Sequence, residues 1–86
     1  MYKVVLAEKA ARFFERADAP LQRRLDRCFE VLRVSPFLHP NIRRLRGPFA
    51  GYVRFRVGDH RVVYRVETDR RLVVVAIIAH RREVYE

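Results

Sequence analysis

One cysteine, Cys28, and one serine, Ser35, stand in the whole sequence. A single thiol excludes an internal disulfide, and its place on the apolar face of a predicted helix marks a small core residue rather than a nucleophile. The lone serine precedes a proline at a helix end, which argues against a Ser-His-Asp arrangement. Histidine is scarce and scattered: His39, His60 and His80 are far apart, no cysteine pair accompanies them, and acids are few among the basic residues. No metal-ligand spacing results, and neither a metal nor a cofactor is expected. With three glycines there is no glycine-rich phosphate loop. No apolar run approaches the roughly 18 residues of a membrane span, and a strand-like Tyr-Lys-Val-Val-Leu follows Met1 where a signal peptide would lie. The expectation is a cytoplasmic protein with no membrane partner. Repeats, low-complexity segments and linkers are also missing. The 86 residues are expected to form a single domain, 1–86, that buries roughly 60% of its unfolded surface.

Lysine is nearly absent as well. Seventeen of the nineteen basic residues are arginine, leaving Lys3 and Lys9. So general a bias gives the choice of arginine at any one position little weight, but the sum is informative. The net charge is +9 and the pI about 11.0. A small domain so basic implies an anionic partner, nucleic acid rather than a lipid surface, because no stretch pairs a basic face with a broad apolar one.

The basic residues concentrate where the chain reads as a hairpin. Residues 51–66, GYVRFRVGDHRVVYRV, alternate apolar and polar on both sides of Gly58-Asp59, a pair suited to a two-residue II′ turn. That turn sets Val57 against His60, Arg56 against Arg61, Phe55 against Val62, Arg54 against Val63, Val53 against Tyr64 and Tyr52 against Arg65. Val53, Phe55, Val57, Val62, Tyr64 and Val66 then share a core face. Tyr52, Arg54, Arg56, Arg61, Val63 and Arg65 share the wet one. Two arginines directly opposite each other destabilise a cross-strand pair. An anion above them removes the penalty, and phosphate suits the planar guanidinium fork.

Around the hairpin, residues 2–6 read as a strand. Ala10, Phe13, Phe14 and Ala17 recur at helical spacing, and after Asp18-Ala19-Pro20 a second helix is predicted over about residues 20–34, ended by Ser35-Pro36. Residues 36–51 read as a charged loop carrying Arg43, Arg44 and Arg46, pinned by Phe37, Ile42, Leu45 and Phe49. Residues 72–79, LVVVAIIA, read as a central strand covered on both faces. The order β-α-α-β-β-β predicts an α+β fold, an antiparallel-dominated sheet packed on an N-terminal helical hairpin.

Arginine, tyrosine and histidine are the reactive inventory. If RNA lies on the arginine face, its own 2′-hydroxyl can attack the adjacent phosphorus, given a base, cations for the developing charge and an acid for the departing 5′-oxygen. Arg54, Arg56, Arg61 and Arg81 can supply the charge. Tyr85 can serve as base once neighbouring cations lower its pKa, and Tyr52 can stack on a base. His80 has a pKa suited to acid-base work but stands at a strand end, where a structural role is the ordinary one. Tyr64, on the core face, reads as packing.

Three segments, Arg44-Leu45-Arg46-Gly47, the run from Tyr52 through Gly58-Asp59-His60-Arg61 to Tyr64, and His80-Arg81-Arg82-Glu83-Val84-Tyr85, resemble the RelE/ParE superfamily of type II toxins. The resemblance covers nearly the whole chain. It implies a ribosome-dependent endoribonuclease (an mRNA interferase) that cuts messenger RNA by metal-free 2′-hydroxyl attack and so inhibits translation. Arg61 matches the arginine contacting the scissile phosphate, Arg81 a second phosphate-stabilising arginine, and Tyr85 the tyrosine that activates the hydroxyl. Arg54 and Tyr52 fall where well-known members carry lysines. The RNA-binding set expected on this basis is Arg43, Arg44, Arg46, Tyr52, Arg56 and Arg65. The resemblance also implies a small RelB-like antitoxin with an acidic segment, and contact with operator DNA only through the toxin-antitoxin complex. Two alternatives stay open: a ParE-like toxin that binds and inhibits DNA gyrase, and a nonenzymatic nucleic-acid binder.

Overall fold

The computed structural model describes residues 1–83, in the order β1 (Lys3–Leu6), α1 (Glu8–Arg16), α2 (Ala19–Val34), β2 (Ile42–Arg44), β3 (Val53–Val57), β4 (His60–Glu67) and β5 (Leu72–His80). The strands form one sheet in the order β1-β5-β4-β3-β2, with β1 parallel to β5 and every other neighbour antiparallel. The α+β class and the helical hairpin are as the pattern predicts. The strand count is not: Ile42–Arg44, expected within a loop, is a fifth strand that pairs with β3 at the sheet edge.

Gly58 sits at φ +56° while Asp59 stays outside the left-handed region, as a II′ turn requires. The turn sets the register, and every pair made by β3 and β4, from Val53 with Tyr64 to Val57 with His60, is the one read from the sequence. Between Val63 and Tyr64 the ladder with β5 slips. Val63 faces Ile77 and Tyr64 faces Val75, so Ala76 is an extra, bulged residue.

Both helices cover one face of this sheet. Asp18 accepts a hydrogen bond from the Leu21 N–H at 2.9 Å and Pro20 lies in the first turn, which together start α2. Ala17 and Asp18 join the helices, and the Gln22 side-chain amide donates to the Phe14 carbonyl at 2.8 Å across the corner. Ala10, Leu25, Cys28, Phe29 and Leu32 pack on Val53, Phe55, Val62, Tyr64, Val73 and Val75, all buried. Each large aliphatic or aromatic side chain so buried contributes roughly 1.5–3 kcal/mol. Cys28 is the inert core residue expected, its thiol pushed up to about 12 by burial. Tyr64 has no exposed surface, and its hydroxyl donates to the Pro36 carbonyl at 2.7 Å, which fastens the start of the 36–51 segment to the core. Leu45 is buried and Ile42, Phe37 and Phe49 half-buried, so that segment is pinned as its apolar residues predict.

The covering of β5 is asymmetric. Val73, Val75 and Ile78 on the helix side are buried, but Leu72, Val74 and Ile77 on the other side are half-buried. Among the described residues only one face of the sheet carries helices, which corrects the expectation of a strand fully covered on both sides.

Candidate nucleic-acid interface

Period-two pleating decides which arginines meet. The face away from the helices carries Arg43 of β2, Arg54 and Arg56 of β3, and Arg61 and Arg65 of β4. Two of its cross-strand pairs join like charges, Arg43 with Arg54 and Arg56 with Arg61. The second pair is legible from the hairpin alone; the first exists because of β2. Each such pair costs on the order of 0.2–1 kcal/mol relative to a neutral one, which a bound phosphate reverses.

Arg61 lies opposite Ala79, and Arg81 follows two residues later. The Arg81 N–H donates to the Asp59 carbonyl at 2.7 Å, and its guanidinium stands 3.9 Å from the Asp59 carboxylate. Backbone and charge together hold Arg81 at the hairpin turn. Arg61 also donates to the His60 carbonyl at 3.3 Å.

Arg54 departs from the wet face expected of it. It is only 6% exposed, and it donates to the Asn41 carbonyl at 3.0 Å. Flanked by Arg43 on one side and Val63 on the other, its stem lies between neighbours on both adjacent strands, and Val63 is buried too. Its charge therefore acts from beneath the surface. Arg43, Arg44, Arg46, Leu45 and Arg54 line a cleft of about 410 Å³. Arg44, on the opposite pleat from Arg43, reaches over the Phe37 ring at 5.2 Å. Tyr52 lies in a neighbouring cleft with Phe37, Arg44 and Val66. Arg65 is paired with Glu67, which holds that guanidinium above its usual range and the carboxyl below its own. Its positive charge is locally balanced by that carboxylate. Tyr85 lies outside the described residues.

His80 is not brought to the arginines. It faces His60 across the strands on the helix side, with ring centroids 5.5 Å apart, and His60 in turn meets Phe13 of α1 at 5.7 Å. His60 is the residue that sequence reasoning passed over, although its pairing with Val57 already assigns it to the core side. Burial lowers its pKa, and the His80 charge adds to that; Arg24 acts in the same sense, while Asp59 and Asp18 oppose it. A histidine held below its unfolded pKa of 6.5 favours the neutral form in the fold, so its contribution is intact above that value and lost as pH falls through the folded one. Denaturant midpoints measured from pH 8 to pH 5 are expected to fall below about 6.5. The decline is expected to be shallower in His60→Gln.

The arrangement offers a shelf for phosphate groups: a row of arginines in fork geometry, a buried charge beneath it, and aromatic surface from Tyr52 and Phe37 at one end. Among the described residues no cluster of metal-ligating side chains is present. The family model described as the ParE toxin of the type II toxin-antitoxin system parDE matches residues 4–85. No curated protein sequence matches the chain. Among solved structures, the fold is similar to the archaeal RelE of a RelE–RelB complex from Pyrococcus horikoshii, with a TM-score of 0.82 and 20% identity over 96% of this chain and 98% of that one. It is similar to a YoeB/ParE toxin from Agrobacterium tumefaciens, with a TM-score of 0.81 and 25% identity over 91% of this chain and 96% of that one. The E. coli RelBE toxin-antitoxin complex gives a TM-score of 0.79 at 20% identity, covering 93% of this chain and 96% of the matched one.

Proposed function

The chain belongs to the ParE toxin family of type II toxin-antitoxin systems, and within it we propose that this toxin is a ribosome-dependent endoribonuclease. The observation that supports this reading is the pair of like-charged rungs, Arg43 with Arg54 and Arg56 with Arg61, beside Arg81. A sheet that accepts two such rungs is suited to a polyanion.

Messenger RNA lies along the shelf with its scissile phosphate between Arg61 and Arg81. The 2′-hydroxyl attacks the adjacent phosphorus, the bond to the 5′-oxygen breaks, that oxygen takes a proton from solvent water, and a 2′,3′-cyclic phosphate and a 5′-hydroxyl result. Arg61 and Arg81 donate to the non-bridging oxygens as charge accumulates, an interaction stronger in the transition state than in the ground state. Arg54 adds fixed positive charge from below, where low dielectric strengthens it. Tyr85, in its phenolate form, takes the hydroxyl proton. Arg43, Arg44, Arg46 and Arg56 hold flanking phosphates, and Tyr52 stacks on a base. His80, turned to the helix side, has no role in this scheme. No protein-bound metal takes part. The toxin's antidote is a small antitoxin with an acidic segment; RelE relatives are held in complexes with RelB.

One observation favours a second reading: the matching family model is described as ParE, and gyrase inhibition is the alternative activity. Two assays run side by side separate them. In a cell-free translation extract with a defined messenger, primer extension is expected to reveal cuts that need ribosomes and vanish in Tyr85→Phe. In a supercoiling assay gyrase is expected to remain active. Intact messenger together with blocked gyrase would replace the nuclease reading with the other.

A further inference from the structure

β3 outlasts β2. The ladder between them stops at Ile42 opposite Phe55, and the Asn41 carbonyl closes it by accepting the Arg56 N–H at 2.9 Å. Beyond that point a cleft of about 310 Å³ opens between the edge of β3 and α2. Its floor is apolar, made by Val31 of α2 with Phe55 and Val57 of β3. Its rim is basic. Arg24 and Arg27 stand one turn apart on α2, and Arg56, which pleats to the shelf face, also lines the cleft because no β2 residue lies beside it. The Arg24 guanidinium lies across the hairpin turn, 3.3 Å from where a Cβ on Gly58 would stand. His39 packs on Phe55 with ring centroids 4.9 Å apart, and its Nδ1 accepts the Asn41 N–H at 3.1 Å, so the neutral imidazole carries its proton on Nε2. Among the described residues that line the cleft none is acidic.

We propose that this cleft binds a free nucleoside 5′-monophosphate. An inorganic anion matches the guanidinium rim and leaves the apolar floor wet, whereas an apolar ligand matches the floor and strips water from three charges without replacing it. A nucleotide satisfies both. The two forks on α2 take the phosphate oxygens, the base lies on the floor against the paired rings of His39 and Phe55, and the His39 Nε2–H is a donor for a ring acceptor. Size selects a single nucleotide, since about 310 Å³ is at the low end of the roughly 300–1,000 Å³ of small-ligand sites. Arg24 and Arg27 stand on a helix that contributes nothing to the arginine shelf. A strand on the shelf and a nucleotide in the cleft therefore depend on different guanidiniums, Arg56 excepted.

The probes are the common 5′-mononucleotides, titrated into the whole protein by calorimetry, with the tightest compared against its own nucleoside and against inorganic phosphate. That nucleotide is expected to saturate a single site, and both fragments to bind about tenfold or more weakly. Arg24→Ala/Arg27→Ala places the best helix former at two exposed positions of α2. Checked for folding by circular dichroism, it is expected to weaken the nucleotide about tenfold or more. Should the double variant fail to fold, Arg27→Ala alone is expected to move the affinity in the same direction. Arg43→Ala/Arg46→Ala, on the shelf, is expected to leave nucleotide binding unchanged. A 5′-phosphorylated tetranucleotide is expected to show the reverse dependence, weakened by the shelf variant and retained by the α2 variant. Phosphate binding as tightly as the nucleotide, no saturable site at millimolar nucleotide, an equal loss in both variants, or a tetranucleotide that follows the α2 variant would overturn the proposal. Neither ribosome nor messenger enters these titrations, so messenger cleavage tests the nuclease reading on its own.

Discussion

Arg61→Ala is expected to lower messenger cleavage about 10²–10³-fold, the loss that follows removal of one well-placed donor to a developing oxyanion. The same substitution deletes one member of the Arg56–Arg61 rung. Its effect on stability is therefore expected to be neutral or favourable by a few tenths of a kcal/mol. Activity and stability moving apart is the diagnostic result, because a substitution that acted by loosening the sheet would lower both. Arg61→Lys keeps the charge and loses the fork, and is expected to fall between wild type and alanine. Arg65→Ala is the internal control. That guanidinium is already engaged by Glu67, so its removal is expected to cost much less cleavage. Single-turnover rates beside thermal melts of the four proteins make the comparison, and an Arg61→Ala enzyme of wild-type rate would remove Arg61 from the mechanism.

Tyr64→Ala is expected to be the most damaging change in the core. The side chain is fully buried against both helices, and truncating a large aromatic to alanine costs about 3–5 kcal/mol. For a chain of this size, with total stability on the order of 5–10 kcal/mol, that is a large fraction. Tyr64→Phe separates the contributions. It keeps the ring, loses the hydroxyl's bond to the Pro36 carbonyl and leaves that acceptor unmet, for an expected loss of about 1–3 kcal/mol. Because the bond fastens the segment leading to β2, hydrogen exchange in Tyr64→Phe is expected to rise in residues 36–45 before it rises in β4. Urea titrations give the totals. Uniform protection across both regions would mean that the tether does not govern the segment.

The hairpin was readable because its turn chemistry acts locally: once Gly58-Asp59 closes in two residues, no distant contact can change the pairing. β2 was not readable. A strand of three residues, Ile-Arg-Arg, contains too little alternation to stand out from a charged loop, and its ladder with β3 forms only once the rest of the sheet is in place. The burial of Arg54 shows a related limit, since alternation assigns a side chain to a face but not to a depth. Depth depends on the neighbours brought by β2 and β4. His60 could have been placed from the hairpin register alone, and His80 through it. The LVVVAIIA run hid their shared face, because a continuous apolar strand gives no sign of where its parity changes. The arginine set was legible by count and clustering, while the separation of Arg43 from Arg44 onto opposite pleats depends on a strand that the pattern conceals.

Ala76 is where that parity changes, and it bears on which length variants of this chain can keep a working shelf. Counting on along β5 from Arg65 opposite Val74, an unbroken ladder would have brought His80 to the side of Arg61; the extra residue turns it to the helix side. Shortening the strand at position 76 only straightens the ladder, since Val75 and Ile77 already face adjacent residues of β4. Losing a residue between Ile77 and His80 instead rotates everything after it by half a turn, with Asp59 no longer beside Arg81. Within β5, natural or engineered deletions compatible with toxicity should therefore collect at a single position, as spelling errors are harmless only at a silent letter.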